Sequence, residues 1–229
     1  NRKIAKLFHI EDMPVERMQE FEWLIPARRN YEQPVNLAAP VYSYDNYGSI
    51  VYNKAAQGFN YLREYLGDSL FDSCMHDYYR TWMNRHPMPE DLRIVFESGT
   101  TKDLSWFFDD FLGTTKRLDY KMINTADNGL LIKNRGKLKG PLLIAGLSGD
   151  STIMEKWEDG FEGKKLIKMG QNKYSEFKID PGHKMTELYR LDNNIRTSGI
   201  LRRSDPVYLR FLYTIEDPDK RSLMFVPAF

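Results

Sequence analysis

Tyr120-Lys121-Met122-Ile123 and Leu130-Leu131-Ile132-Lys133 stand on either side of Asp127-Asn128-Gly129. Two short apolar runs around an Asn-Gly turn are a hairpin signal, because Asn and Gly tolerate the positive φ of a tight turn. The same rhythm continues toward the C-terminus, where residues 142–147, 152–157, 165–169, 175–179 and 184–191 read as strands. Turn residues separate them: Asn134-Arg135-Gly136, Ser148-Gly149-Asp150, Asp159-Gly160, Asp180-Pro181-Gly182 and Asp192-Asn193-Asn194. Seven short strands with turn signals every 8–12 residues or so predict an immunoglobulin-like β-sandwich.

Upstream of Leu118 the period changes from that of a strand to that of a helix. Residues 2–10 and 14–24 read as helices, the second with Val15, Met18, Phe21 and Trp23 as its apolar positions. Pro26, Pro34 and Pro40 are expected to break the chain into a loop, since proline lacks an amide donor. From residue 49 to 66, Ala55, Phe59, Leu62 and Leu66 fall on one helical face, and Gly67 stands where a terminating glycine belongs. Asp68 or Ser69 would cap a helix with a Phe71, Cys74, Met75, Tyr78 and Trp82 stripe, stopped by Pro87. Pro89 suits a first helical turn, with Glu90 and Asp91 favourable at the positive end of the dipole. Leu92, Val95 and Phe96 form that helix's face, which Gly99 ends. Thr100 or Thr101 would cap a last helix carrying Leu104, Phe107, Phe108 and Phe111, ended by Gly113. Short links between these helices predict packed helical hairpins. The expected fold class is therefore α+β and multidomain. A helical lobe over residues 1–118 precedes a β-sandwich over 119–204, and 205–229 begin a further segment.

Composition narrows the function. In 229 residues, 33 Lys and Arg face 32 Asp and Glu, a net charge of +1. That balance argues against a nucleic-acid partner, and the densest basic groups, Arg28-Arg29 and Arg202-Arg203, are too small to form a patch. A 41% hydrophobic, 14% aromatic content supports a core dominated by large rings. The apolar run Pro141-Leu142-Leu143-Ile144-Ala145 is far shorter than the ~20 residues of a membrane helix. Cys74 is the single cysteine, so no internal disulfide forms.

Little in the chain has the spacing of metal or nucleophile chemistry. His9, His76, His86 and His183 contain no i, i+4 pair, so the paired-histidine zinc motif HExxH is absent. Cys74 lies on an apolar helix stripe and reads as a small buried hydrophobe. Asp109-Asp110 reads as the solvated side of an amphipathic helix. The tyrosines Tyr42, Tyr44, Tyr47 and Tyr52 are more suggestive. Tyr52 falls where loop becomes helix, and its phenol is a neutral donor suited to a developing oxyanion.

Tyr52-Asn53-Lys54-Ala55-Ala56, with Tyr47 five residues earlier, resembles the Tyr-x-Lys-Gly-Ala helix start of the gluzincin aminopeptidases, the aminopeptidase N-like zinc metallopeptidases. The order that follows is similar too: Tyr78-Tyr79-Arg80-Thr81-Trp82, His86-Pro87, Pro89-Glu90-Asp91-Leu92, then Asp103-Leu104-Ser105-Trp106-Phe107-Phe108. Asn134-Arg135-Gly136 with Pro141, then Trp157, Gly160 and Phe161, then Ile179-Asp180-Pro181 and Asp192-Asn193-Asn194 match the family's small sandwich domain. The resemblance spans residues 40–195 or so.

The resemblance implies hydrolysis of N-terminal peptide bonds by a zinc-activated water. Tyr52 would stabilise the oxyanion, and Tyr47 would be a second site tyrosine. Ala55 replaces the family's usual glycine. The HExxH segment and the amino-group recognition motif are expected in polypeptide preceding Asn1. The chain is therefore expected to be a truncated piece of an enzyme, inactive and zinc-free alone, with peptide substrate and zinc belonging to the parent. For such bacterial enzymes the resemblance suggests an extracytoplasmic place, in the periplasm or outer membrane. Two other readings stand beside this one. One is a non-catalytic interaction module of helices and β-sandwich; the other is a pseudoenzyme whose full-length form lacks the ligands. The sequence upstream of Asn1 separates all three.

Overall fold

The computed structural model describes residues 15–126, 129–170, 174–199, 202, 208–210, 219 and 222–224. The helix expected at residues 2–10 lies outside them.

Helix α1 spans Val15–Arg28 and runs through Pro26, where a break was expected. Pro26 sits in the last turn, and its ring is buried. The helix buries Trp23, Leu24 and Ala27, whereas Met18 faces outward. A turn at Tyr44–Asn46 leads into a π-helical segment, π1, at Tyr47–Lys54, and this continues as helix α2, Ala55–Leu66. The buried side of α2 carries Gly58, Tyr61, Leu62 and Tyr65; the expected Phe59 and Leu66 pack half-buried against the same core, Phe59 edge-on to Phe107 at 5.2 Å, so two tyrosines join the expected face. Gly67 ends it at φ +86°, and its amide donates to the Arg63 carbonyl at 2.8 Å.

Helix α3, Asp68–Trp82, has Gly67 at its N-cap and no side-chain cap, so neither Asp68 nor Ser69 plays that part. Helix α4, Pro89–Gly99, starts on its proline, and Asp91 Oδ2 accepts the Met88 amide at 2.7 Å. The two helices pack together through Cys74, Phe71 and Phe96. The last helical element, π2, is Trp106–Leu112 and starts later than expected. The Thr100 hydroxyl accepts the Lys102 amide instead of capping a helix, and the Leu104 carbonyl receives the Phe107 and Phe108 amides.

Strands β1 (Tyr120–Ala126), β2 (Gly129–Asn134) and β5 (Lys164–Lys168) form one antiparallel sheet, ordered β1-β2-β5. The hairpin pairs Ala126 with Gly129; its turn residues 127–128 lie outside the described set. Strands β3 (Leu142–Ser148), β4 (Ser151–Glu158), β6 (Glu176–Ile179) and β7 (Asn194–Arg196) form the second sheet, ordered β4-β3-β6-β7. Crossing of β5 back to the first sheet gives the three-plus-four arrangement of an immunoglobulin-like fold. A parallel pair, β8 (Tyr208–Arg210) and β9 (Ser222–Met224), stands apart.

Residues 184–191 are not a strand, contrary to their pattern. The Asp180 carboxylate accepts the Lys184 and Met185 amides at 2.7 and 2.9 Å, and Leu118 accepts that of Leu188. With two donors taken by that carboxylate, backbone pairing there shrinks to a single parallel bridge between Leu118 and Glu187.

One apolar cluster runs across residue 118. Tyr61 and Tyr65 of α2 pack on Trp106 and on Trp157 of β4, beside Leu118, Tyr120, Leu142 and Ile144. Each tyrosine tip finds a polar partner at the sheet: Tyr61 on the Pro141 carbonyl, Tyr65 on Asp159 at 2.8 Å. Ring burial and satisfied hydroxyls together fasten α2 to the sheets.

Candidate functional site

The local chain dictates how Tyr52 is presented. An α-helix turns positions five apart by about 140° from one another, but a π-helix closes i→i+5 hydrogen bonds and returns them to one face. Here the Ala55 amide donates to the Ile50 carbonyl, closing such a ring. Tyr47 and Tyr52 therefore stand side by side, ring centroids 6.0 Å apart and 78° inclined. Tyr42 extends the row, 5.9 Å from Tyr47 at 78°. Tyr52 is 62% exposed and Tyr47 40%. Tyr44 is almost fully exposed and outside this row.

The opposite side of π1 is anchored. Ile50 is fully buried with Trp23, Leu24, Ala27 and Leu188. Lys54, 2% exposed, places Nζ 3.1 Å from Glu32 Oε2 and 5.3 Å from the Phe111 ring centroid. Glu32 also takes an ion pair from Arg117, whose Nη1 donates to Asn30 Oδ1 at 2.6 Å. Burial pushes the Lys54 ammonium below the usual lysine pKa, against the pull of Glu32. Asn53 Nδ2 donates to Glu22 Oε2 of α1 at 2.5 Å. Tyr52 thus projects from a turn whose next two residues are tied down. Tyr42 is the braced end of the row: its hydroxyl donates to the Pro34 carbonyl at 2.8 Å and accepts the Leu37 amide at 3.2 Å, and burial raises its pKa.

The other candidates lie elsewhere. His76, His86 and His183 are exposed and scattered, and His9 lies outside the described residues. Cys74 is buried, and desolvation raises its thiol pKa, the opposite of an activated nucleophile. Asp109 receives Arg93 at 2.5 Å and Asp110 receives Lys116 at 2.5 Å, so the acid pair is spent on separate ion pairs. Arg28 donates to the Leu188 carbonyl and to Asp219. Arg202 is exposed, and Arg203 lies outside the described residues.

Among the described residues no three or more His, Cys, Asp or Glu side chains gather as a metal-binding group. Among the described residues no helix is long and apolar enough to cross a membrane.

A buried charge network escaped the pattern reading. Arg190 Nη1 donates to Glu20 Oε1 of α1 at 2.7 Å, and its Nη2 lies 3.4 Å from Asp180 Oδ2. Arg17 pairs with Glu20 and Asp219. Glu187 is fully buried, its Oε1 accepting the Tyr120 amide at 2.6 Å and its Oε2 accepting Asn193 Nδ2 at 2.5 Å. Burial drives the Glu187 carboxyl well above the usual carboxylate pKa. The available signal was the run Thr186-Glu187-Leu188-Tyr189-Arg190, where charges interrupt an expected strand.

No protein-family profile and no curated protein matches the chain. The crystal structure of Legionella pneumophila aminopeptidase A in complex with aspartic acid is similar over 72% of this chain, with a TM-score of 0.49 and 17% identity. The chain spans 21% of the length of that protein.

Proposed function

We propose that this chain is part of a zinc aminopeptidase and presents Tyr52 to the substrate as an oxyanion donor. The observation that carries the reading is the Tyr52 phenol, 62% exposed on a turn anchored behind by Lys54 and Asn53. The motif resemblance around Tyr52 and through Asp103-Leu104-Ser105-Trp106-Phe107-Phe108 supports it. When a peptide carbonyl is attacked, negative charge grows on its oxygen. A neutral phenol held in place donates a hydrogen bond to that oxygen more strongly in the transition state than in the ground state. Tyr47 holds the ring of Tyr52 edge-on and is assigned to positioning. Zinc would supply the activated water from ligands carried on polypeptide other than this chain, and the chain alone is expected to be inactive. The substrate is a peptide with a free N-terminus, and the place of action is extracytoplasmic in a bacterium.

The test is Tyr52→Phe in the complete protein. Loss of one oxyanion donor is expected to lower kcat ~10²–10³-fold with KM little changed. An unchanged kcat removes Tyr52 from the mechanism. The absence of peptidase activity from the complete protein would favour the interaction-module reading.

A further inference from the structure

The register of the three-stranded sheet sets like charges against each other. Lys121 of β1 stands opposite Lys133 of β2, and Lys133 stands opposite Lys164 of β5. In the next row on the same face, Asn124 meets Leu131 and Leu131 meets Leu166. Lys168, two residues beyond Leu166, shares that face. Burial gives its direction. Tyr120, Met122, Leu130, Ile132 and Ile167 go to the core, whereas Leu166 is 55% exposed and Lys164 and Lys168 are exposed. The three strands contain no Asp or Glu.

Asp192 answers Lys121 at 3.3 Å, but Arg135 shares it at 2.9 Å. Lys133, Lys164 and Lys168 have no ion-pair partner among the described residues. Like charges directly opposite one another destabilise a sheet. Lysines on an edge strand are ordinary, because they keep other strands from pairing there, and this accounts for Lys164 and Lys168 on β5. It does not account for Lys133, which lies on the central strand between two lysines. An anionic partner would turn that repulsion into attraction.

The pattern favours a lipid surface over a protein. Protein interfaces draw on Arg and aromatic rings and are poor in Lys. Here every cation on the strands is a lysine, a point charge that needs no fixed partner geometry, and exposed Leu166 lies between two of them along β5. Strand geometry spreads these charges over about 10 Å across the sheet and about 13 Å along it. Such a two-dimensional array matches a membrane better than the single line of an acidic peptide.

We propose that the outer face of the β1-β2-β5 sheet docks on an anionic lipid membrane, through Lys133, Lys164 and Lys168 around Leu166. The proposal goes beyond the peptidase reading and does not depend on it.

The test is co-sedimentation of the unmodified chain with vesicles of phosphatidylglycerol and phosphatidylcholine in equal parts, and with vesicles of phosphatidylcholine alone. Binding to the first and not to the second is expected; no binding, or equal binding to both, overturns the proposal. Lys133→Gln with Lys164→Gln should lower the partition coefficient about 25-fold, about fivefold for each basic residue lost. Lys178→Gln, on β6 of the other sheet, should leave it unchanged; an equal loss there overturns the assignment to this face. The double variant removes facing like charges, so its melting temperature should not fall. A lower one would make the lysine row structural and overturns the argument. Soluble poly-glutamate should compete weakly with the vesicles; tight binding of poly-glutamate with no binding of vesicles would assign the face to an acidic polypeptide instead.

Discussion

Lys54 and Glu32, 22 positions apart in the chain, form an ion pair of 3.1 Å with side chains 2% and 0% exposed. It lies two residues beyond Tyr52 and ties the end of π1 to the loop that follows α1. Burying two charges is costly, and the gain is realised only while both partners stay. Lys54→Met is expected to destabilise the chain by about 3 kcal/mol, the lower end of the ~3–5 kcal/mol for a broken buried pair, because Arg117 still neutralises Glu32. Lys54→Met with Glu32→Gln also takes away the carboxylate that Arg117 meets, so it should cost more than Lys54→Met alone, as measured by urea unfolding. A double variant as stable as the single would mean that Glu32 acts on stability through Lys54 alone.

Gly58 faces Phe111 across the join between α2 and π2. A Cβ at this position would overlap the Phe111 ring, and that ring is 1% exposed. Helix propensity alone favours Gly58→Ala by about 1 kcal/mol. Overpacking a closed core costs about 1–3 kcal/mol, and it should win. The expected result is a lower melting temperature; a higher one would show that Phe111 has room to move.

Tyr52 is mostly exposed and meets Tyr47 edge-on. An exposed side chain with one edge contact contributes about 0.5 kcal/mol or less to stability. Tyr52→Ala should therefore leave the unfolding midpoint almost unchanged in the same preparation in which Tyr52→Phe is tested for turnover. A large drop in stability would make Tyr52 a structural residue and remove the argument from its exposure.

The strands were legible because short apolar runs are set off by turn residues, and β1 to β6 fall where those runs stand. Helix positions were legible for the same kind of reason, down to Gly67 and Pro89. The faces were less so. On α2 the pattern finds Phe59 and Leu62 but leaves out Tyr61 and Tyr65, which also go inside because the Pro141 carbonyl and Asp159 stand ready for their hydroxyls. Partners 80 and 94 positions away leave no mark in local periodicity. Tyr47 and Tyr52 were singled out by type and spacing, yet only the π-helical turn puts them on one face. Lys54, Glu32, Glu187 and Arg190 were unreadable as buried residues, since a charge reads as surface until its partner is known.

Glu187 gives the pH dependence its sign. Its carboxyl is raised by burial in the folded chain and titrates near 4.3 when unfolded. Below that unfolded value both states hold the proton, and the contribution of the group is fully present. Above it the unfolded state releases the proton while the folded state keeps it, so stability is lost as pH rises toward the folded value, by at most about 1.4 kcal/mol per pH unit. The neutral acid has one O–H to donate. Asn193 Oδ1 is a buried acceptor with no partner among the described residues, and turning over the Asn193 amide brings it to Glu187. Glu187→Gln mimics that neutral form at every pH. Its urea midpoint should gain on the unmodified chain as pH rises from 5 toward 8. A difference that stays flat over this range would mean that Glu187 is ionised in the folded chain and that Arg190 outweighs its burial.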